Sequence, residues 1–249
     1  RGERGRGARY LRWRVGVAWL ALMLSDRKRA QLERELAKTI SSLEGRQARQ
    51  LLKILGDPPK LDDITLELWE TMGKEMLGVL TPATINTSLL AAENVVNSIP
   101  IGVNWDMVNQ RAASWASTHN SRVVREMYGN TSQAARDMVA DFYEQGLSVG
   151  DLRRRLQQRF GPMHSEMVAV TEVTAAAVEG GRIVADELAA EGVTMIESWV
   201  TQRDERVCPI CYPRDGKVLG DGWTRIDGPP AHIRCRCDTA YKLPPMETE

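Results

Sequence analysis

The amino-acid sequence predicts a mainly α-helical protein, with an elongated multi-helix body followed by a small, loop-rich α+β module. Apolar residues recur at helical spacing from residue 26 to residue 191, which indicates the helical body. After Gly192 the sequence changes character, because β-prone residues and Gly/Pro turns replace the helical pattern. All 4 cysteines of the chain lie between Cys208 and Cys237. These observations divide the chain into a basic N-terminal arm and helix (1–60), a helical body (61–192) and a small Cys/His module (193–249).

The first helices are predicted from their periodicity and from the residues that interrupt it. Residues 26–55 form one amphipathic helix, which Gly56 ends. A second helix covers residues 64–80. A third begins at Thr81-Pro82, because proline favours the first turn of a helix, and it ends near Pro100.

Capping and stop residues divide the rest of the body and the module into further elements. Asn104 is a helix start, Gly129 is a stop, and Ser148 with Asp151 resembles a capping box. The predicted helices cover residues 104–129, 131–145, 148–160 and 164–191. The predicted strands cover residues 193–201 and 239–243.

The cysteines and one histidine form two short clusters, Cys208-x-x-Cys211 and His232-x-x-Cys235-x-Cys237. Two such clusters separated by a loop are typical of a tetrahedral metal site, and thiolate with imidazole favours Zn²⁺. Disulfides or free core cysteines are the alternative, but four cysteines within thirty residues, with a histidine between them, favour a metal. We therefore predict a structural zinc ion, which would stabilise a module that has few apolar residues of its own.

Five residues compete for four ligand positions, and the fourth position is open between two of them. Cys208, Cys211 and Cys235 are the expected common ligands. His232 is three residues before Cys235, so both can face one ion across a tight turn. Cys237 is two residues after Cys235, and positions two apart point to the same side of an extended strand. His232 is favoured because Cys237 leads into the closing strand, and the spare residue would hydrogen-bond a metal-bound sulfur.

The same stretch resembles the C-terminal part of the phage Mu F-like head morphogenesis family, the minor head proteins of tailed phages. The similar residues are DERVCP and Cys211, then Asp215-Gly216-Lys217, then PPAHIRCRC at residues 229–237. The similarity extends to GLSVGDLRRRLQQRF and to HSEMVAVTE, and covers roughly residues 100–240. His164 and Val170 stand where the family has two arginines.

The resemblance implies a structural, non-enzymatic protein: a minor head or head morphogenesis protein of a tailed phage or prophage. It implies association with the portal protein and capsid proteins, and a role in capsid assembly and in DNA packaging or ejection. The protein would be assembled in the host cytoplasm and located in the virion, inside the head or at its portal vertex.

Two alternatives from other classes stay open at this point. One is a nucleic-acid-binding module with structural zinc, supported by the basic N-terminal segment and by the arginines of residues 153–159. The other is an enzyme that uses the Glu172 region. Because the sequence identifies no second titratable group beside Glu172, we expect a structural partner for it, such as Arg206 or Arg236.

Charge is distributed unevenly along the chain. Residues 1–55 contain 14 Lys and Arg against 5 Asp and Glu, a net charge of +9, and the remainder carries −9. Such a basic arm suits an anionic partner such as DNA, although a solvated helix face has the same composition. The apolar run VGVAWLALML at residues 15–24 is too short to span a bilayer, so no membrane partner is expected.

If the basic arm contacts duplex DNA, the affinity should fall steeply with salt. The expected log–log slope is roughly −0.9 per phosphate neutralised. A filter-binding series in salt measures this slope, and deletion of residues 1–55 should abolish the salt dependence. Binding that ignores salt, or no binding at low salt, would leave the arm as a protein-docking element.

Overall fold

The structure, a computed structural model, describes residues 24–205 and 207–243. Residues 1–23 of the basic arm, which include nearly all of its apolar run, and Arg206 therefore lie outside the described residues. The described part is mainly helical, with one two-stranded sheet, and this confirms the predicted fold class. The elements are α1 (Asp26–Leu55), α2 (Leu66–Val96), α3 (Trp105–Gln145), α4 (Val149–Arg159), α5 (Pro162–Ala190), β1 (Ile196–Val200) and β2 (Asp238–Lys242). Two short 3₁₀ helices occupy Leu61–Asp63 and Tyr212–Arg214.

Several predicted helix ends are confirmed by their local geometry. Gly56 and Gly192 have positive φ angles of 71° and 88°, as residues that end helices often do. Ser148 accepts a hydrogen bond from the Asp151 backbone, and the Asp151 carboxylate accepts one from the Ser148 backbone, which completes the capping box. None of the helices in the described ranges is long and apolar enough to cross a membrane.

Two predicted helix boundaries are wrong, because the helices continue through them. Pro82 lies inside α2, although it removes one backbone hydrogen bond. Gly129 lies inside α3, where glycine costs only about 1 kcal/mol relative to alanine. In both helices, buried faces continue on either side of the interruption, with Leu80 and Ala91 in α2 and Val124 and Ala135 in α3. Burial of these continuous faces outweighs the local cost.

The described residues divide into two compact units: residues 24–32, 84–114, 170–205 and 207–243 form one, and residues 33–83 and 115–169 form the other. The division into three successive parts along the chain stays a prediction. In the second unit, the Gln47 amide nitrogen donates to the Met72 carbonyl at 3.1 Å, and the Tyr128 hydroxyl donates to the Gln47 oxygen at 2.6 Å. The buried side chain of Gln47 is thus paired with groups of two other helices.

The first unit holds the sheet and the cysteines. Strands β1 and β2 pair antiparallel, with Ser198 opposite Ala240. Tyr241 and Met195 belong to an apolar core that also contains residues of α2, α3 and α5, which are Ala92, Val95, Val108, Ala112, Ile183, Val184 and Leu188. The sheet therefore shares a core with the helices. Contrary to the expectation of a module with little core of its own, Trp199 and Trp223 also form a separate cluster with three cysteines.

Helices α2 and α5 approach closely at Gly180. A Cβ atom at Gly180 would overlap the Ser88 carbonyl oxygen, which is backbone and cannot rotate away. The Ser88 hydroxyl also donates to the Ala176 carbonyl at 2.9 Å, so the two helices are joined at the same level.

We predict that Gly180→Ala destabilises the protein by about 1–3 kcal/mol or more, because the helices must separate to fit the methyl group. Gly78→Ala is the matched control: Gly78 is in the middle of α2 and has open space where its Cβ would be. That change should stabilise by up to about 1 kcal/mol through helix propensity. Urea unfolding of both variants measures the difference, and equal midpoints would contradict the close contact.

Candidate metal centre

The candidate ligands lie on two backbone turns of the same kind. The Cys211 N–H donates to the Cys208 carbonyl at 3.1 Å, and the Cys235 N–H donates to the His232 carbonyl at 3.1 Å. Each turn thus carries one ligand candidate at its first position and one at its fourth. A tight turn of this length brings both side chains to one side, which is the local reason for the x-x spacing seen in the sequence.

Three of these side chains meet at the His232 ring. Its Nε2 atom lies 3.1 Å from the Cys208 sulfur and 3.3 Å from the Cys211 sulfur. The sulfurs of Cys211 and Cys235 are 3.9 Å apart. Around a tetrahedral zinc ion, with bonds of about 2.3 Å to sulfur and 2.0 Å to nitrogen, sulfurs lie about 3.8 Å apart, and sulfur and nitrogen about 3.5 Å apart. The observed separations therefore fit a zinc-sized ion.

The orientation of His232 suits a metal ligand. Its Nδ1 atom lies 2.8 Å from the Ile233 carbonyl oxygen. Because a carbonyl can only accept, Nδ1 carries the proton, and in the neutral ring Nε2 presents its lone pair to the two sulfurs. A hydrogen bond from the second ring nitrogen to a carbonyl is the usual way in which a metal-binding histidine is held in position.

Cys237 belongs to a second group. Its sulfur and those of Cys211 and Cys235 all lie within 4.8 Å of one another, as do the ligand atoms of Cys208, Cys211 and His232. The two groups share Cys211. The structure therefore brings all five predicted residues together, and the geometry also keeps both candidates for the fourth position within reach.

Of the three buried thiols, one has a lowered pKa and the other two have raised pKa values. Burial and the nearby Cys235 raise the pKa of Cys211 to about 12. A hydrogen bond from Cys237 lowers the pKa of Cys235 to about 5, whereas the same hydrogen bond, together with burial, raises the pKa of Cys237. One thiolate thus suppresses ionisation of its neighbours, since like charges at this distance repel. A divalent cation would remove that restriction by neutralising the sulfurs.

Helix α5 holds the second turn in place through two threonines. The Thr174 hydroxyl donates to the Cys235 carbonyl at 2.7 Å, and the Arg234 N–H donates to the Thr171 hydroxyl oxygen at 3.0 Å. Thr171 lies in the segment HSEMVAVTE that resembles the family, but sequence reasoning missed the part played by Thr174. The sequence shows only that Thr174 lies three residues after Thr171, on the same face of a predicted helix.

Ion pairs also fix the module, and sequence reasoning missed them. Arg29 of α1 forms a buried ion pair with Asp238 and donates to the Arg236 carbonyl at 3.1 Å. Arg225 pairs with Glu197 and, at 2.8 Å, with Asp186. Charge patterns along the chain give no sign of such pairs, because the partners are far apart in sequence.

The residues that suggested the two alternative functions are not among the candidate metal ligands. Glu172 is buried on α5, with 4% of its surface exposed, and Arg206, one of its expected partners, is outside the described residues. On α4, Arg154 pairs with Asp151, and Arg155 pairs with Asp141 at 2.7 Å. Part of the arginine row is therefore engaged within the protein.

A helical protein with a small Cys/His module that could hold a metal ion is the class defined by this fold and site. Residues 133–240 match the family model described as Phage Mu protein F like protein. The matched segment runs from the second half of α3 to β2 and contains all five candidate ligands. Over this segment, the match confirms the resemblance to the phage Mu F-like family that the sequence motifs indicated, and this family is one of phage head morphogenesis. Searches of curated proteins and of solved structures gave no match.

Proposed function

We propose that the protein is a minor head protein of a tailed phage or prophage. It would associate with the portal and capsid proteins and act in capsid assembly and in DNA packaging or ejection. The observation that carries the proposal is the family match over residues 133–240. The arrangement of the chain agrees with a structural role, because Cys211, Cys235 and Cys237 are packed in a buried core with Trp199 and Trp223.

We further infer that the cluster binds one structural Zn²⁺ through Cys208, Cys211, His232 and Cys235. The separations of the His232 nitrogen from the Cys208 and Cys211 sulfurs, and of the Cys211 sulfur from the Cys235 sulfur, support the metal. The proton on Nδ1 of His232 supports its use as the fourth ligand. Cys237 would then hydrogen-bond a metal-bound sulfur. The ion would join the two turns, and its binding energy, on the order of 10 kcal/mol, would be folding energy.

The portal association predicts a stable complex. The protein and the portal protein encoded in the same genome should elute together in size-exclusion chromatography after co-expression. A portal protein from an unrelated phage is the matched control and should elute separately. The proposal is wrong if the protein binds neither its own portal nor assembled procapsids.

The zinc site predicts a difference between two single substitutions. Purified wild-type protein should contain one zinc ion per chain by elemental analysis. His232→Ala should lose most of the zinc, and Cys237→Ser should keep it, because only His232 would coordinate the ion. The reverse result would make Cys237 the fourth ligand. A folded wild type without zinc would contradict the site altogether.

A further inference from the structure

The four cysteines of the metal centre differ in their access to solvent. Cys208 is half-buried, whereas Cys211, Cys235 and Cys237 are buried, with 1%, 1% and 4% of their surface exposed. Oxidation of a cysteine in a folded protein requires contact between its sulfur and the oxidant, so accessible sulfurs react before buried ones. Access therefore favours Cys208 as the sulfur that an oxidant in solution meets first.

Cys211 lies in a position to capture an oxidised Cys208. The ligand atoms of Cys208, Cys211 and His232 lie within 4.8 Å of one another, and Cys211 is the other cysteine of that group. The Cys211 N–H donates to the Cys208 carbonyl at 3.1 Å, which makes residues 208–211 a tight turn. Such a turn keeps its end Cα atoms within about 7 Å, and a disulfide needs about 4.4–6.8 Å between them. The turn is therefore compatible with a disulfide that forms by rotation of the two side chains.

The second ligand turn is less suited to supply the partner. Cys235 and Cys237 are buried and belong with Cys211 to the other group of sulfurs. Helix α5 holds this turn, because the Thr174 hydroxyl donates to the Cys235 carbonyl at 2.7 Å. A disulfide from Cys208 to this turn would join two separate stretches of backbone, whereas Cys211 shares a turn with Cys208.

We propose that the first ligand turn, Cys208 to Cys211, is a redox switch that closes as a disulfide when the protein meets hydrogen peroxide. The Cys208 thiolate attacks the peroxide, the O–O bond breaks, and the sulfur becomes a sulfenic acid as hydroxide leaves. The Cys211 thiolate then attacks the Cys208 sulfur, the S–S bond forms, and the S–O bond breaks with release of a second hydroxide. Two protons from the buffer convert both hydroxides to water. The two sulfurs together lose two electrons, and the peroxide gains them.

Disulfide formation removes two of the four ligands proposed for the zinc ion. Zinc is held by thiolates, and neither sulfur of a disulfide is a thiolate, so the ion leaves. Release of the ion rests on the zinc site proposed above, whereas the disulfide depends only on the two cysteines. In the oxidised protein the first turn is closed on itself, and its link through the metal to His232 and Cys235 is lost.

Peptide mapping of the full chain identifies the disulfide. The reduced protein is treated with excess hydrogen peroxide, its remaining thiols are alkylated, and it is digested with trypsin. A single tryptic peptide, residues 207–214 (VCPICYPR), contains both Cys208 and Cys211, and Cys235 and Cys237 lie outside it. We expect this peptide to be two hydrogens lighter than its reduced form and free of alkyl groups. A zinc-sensitive dye should record one zinc ion released per disulfide, and a thiol reductant with added zinc should reverse both changes.

Two variants separate this pair from the other sulfurs. Cys237→Ser is the matched control: it removes one buried thiol of the cluster and should leave the rate of disulfide formation unchanged. Cys208→Ser should slow peroxide oxidation of the remaining thiols several-fold, because only buried sulfurs are left. Circular dichroism reports whether each variant folds. Should Cys208→Ser unfold, the order of alkylation in the native wild type replaces it, since Cys208 should react first.

The proposal is overturned if a disulfide joins residues 207–214 to Cys235 or Cys237, if residues 207–214 stay reduced, or if zinc stays bound after the disulfide forms. It is equally wrong if folded Cys208→Ser oxidises as fast as the wild type, or if a buried thiol is alkylated before Cys208. Purified wild type that holds no zinc would contradict the zinc site and not the disulfide, because the peptide map reads the disulfide independently.

Discussion

The hydrogen bonds between α5 and the second ligand turn are the constraint on which the metal centre depends. Thr174 binds the Cys235 carbonyl in a buried position, and Thr171 accepts the Arg234 N–H one helical turn earlier. Arg234 has a positive φ of 61°, a conformation that is unfavourable for a side chain other than glycine. The two threonines stabilise this conformation from outside the turn. The direction in which His232 and Cys235 face is therefore set by a rigid helix and not by the loop itself.

Two ion pairs connect the module to neighbouring elements: Arg29 with Asp238, which is buried, and Arg225 with Glu197, which is partly exposed. Burial raises the pKa of Asp238, and the charge of Arg29 opposes that effect without cancelling it. Removing one partner from such a pair typically costs about 3–5 kcal/mol, although the intact pair contributes little net stability compared with apolar residues of the same size. The value of the pair lies in its directionality: Arg29 has one position in which it meets both Asp238 and the Arg236 carbonyl. The second group, Arg225 with Glu197, similarly connects a long loop to β1.

Sequence reasoning predicted most of the fold and the five residues that the structure gathers into two groups of possible metal ligands, for identifiable physical reasons. Caps such as Ser148 and stops such as Gly192 are local, so four residues suffice to recognise them. The helix boundaries predicted at Pro82 and Gly129 were wrong because the stabilisation of these helices comes from burial along their whole length. Local residue patterns do not contain that information. The five ligand candidates were found because metal chemistry restricts residue type and spacing. Arg29, Thr174 and the Trp199–Trp223 contact were missed because each brings together residues that are distant in sequence.

The tryptophan cluster changes what a metal ion would contribute. The rings of Trp199 and Trp223 meet edge to face at 5.3 Å, and the guanidinium of Arg214 lies 5.1 Å from the centre of the Trp199 ring. Trp199 also anchors a turn through its backbone, because its backbone N–H donates to the Lys217 carbonyl at 2.9 Å. The sheet and this cluster are thus stabilised by apolar contacts and backbone hydrogen bonds of their own. The two ligand turns meet through the sulfurs of Cys208, Cys211 and Cys235 and the imidazole of His232. A metal ion would therefore stabilise the joint between the turns most, and the strands least.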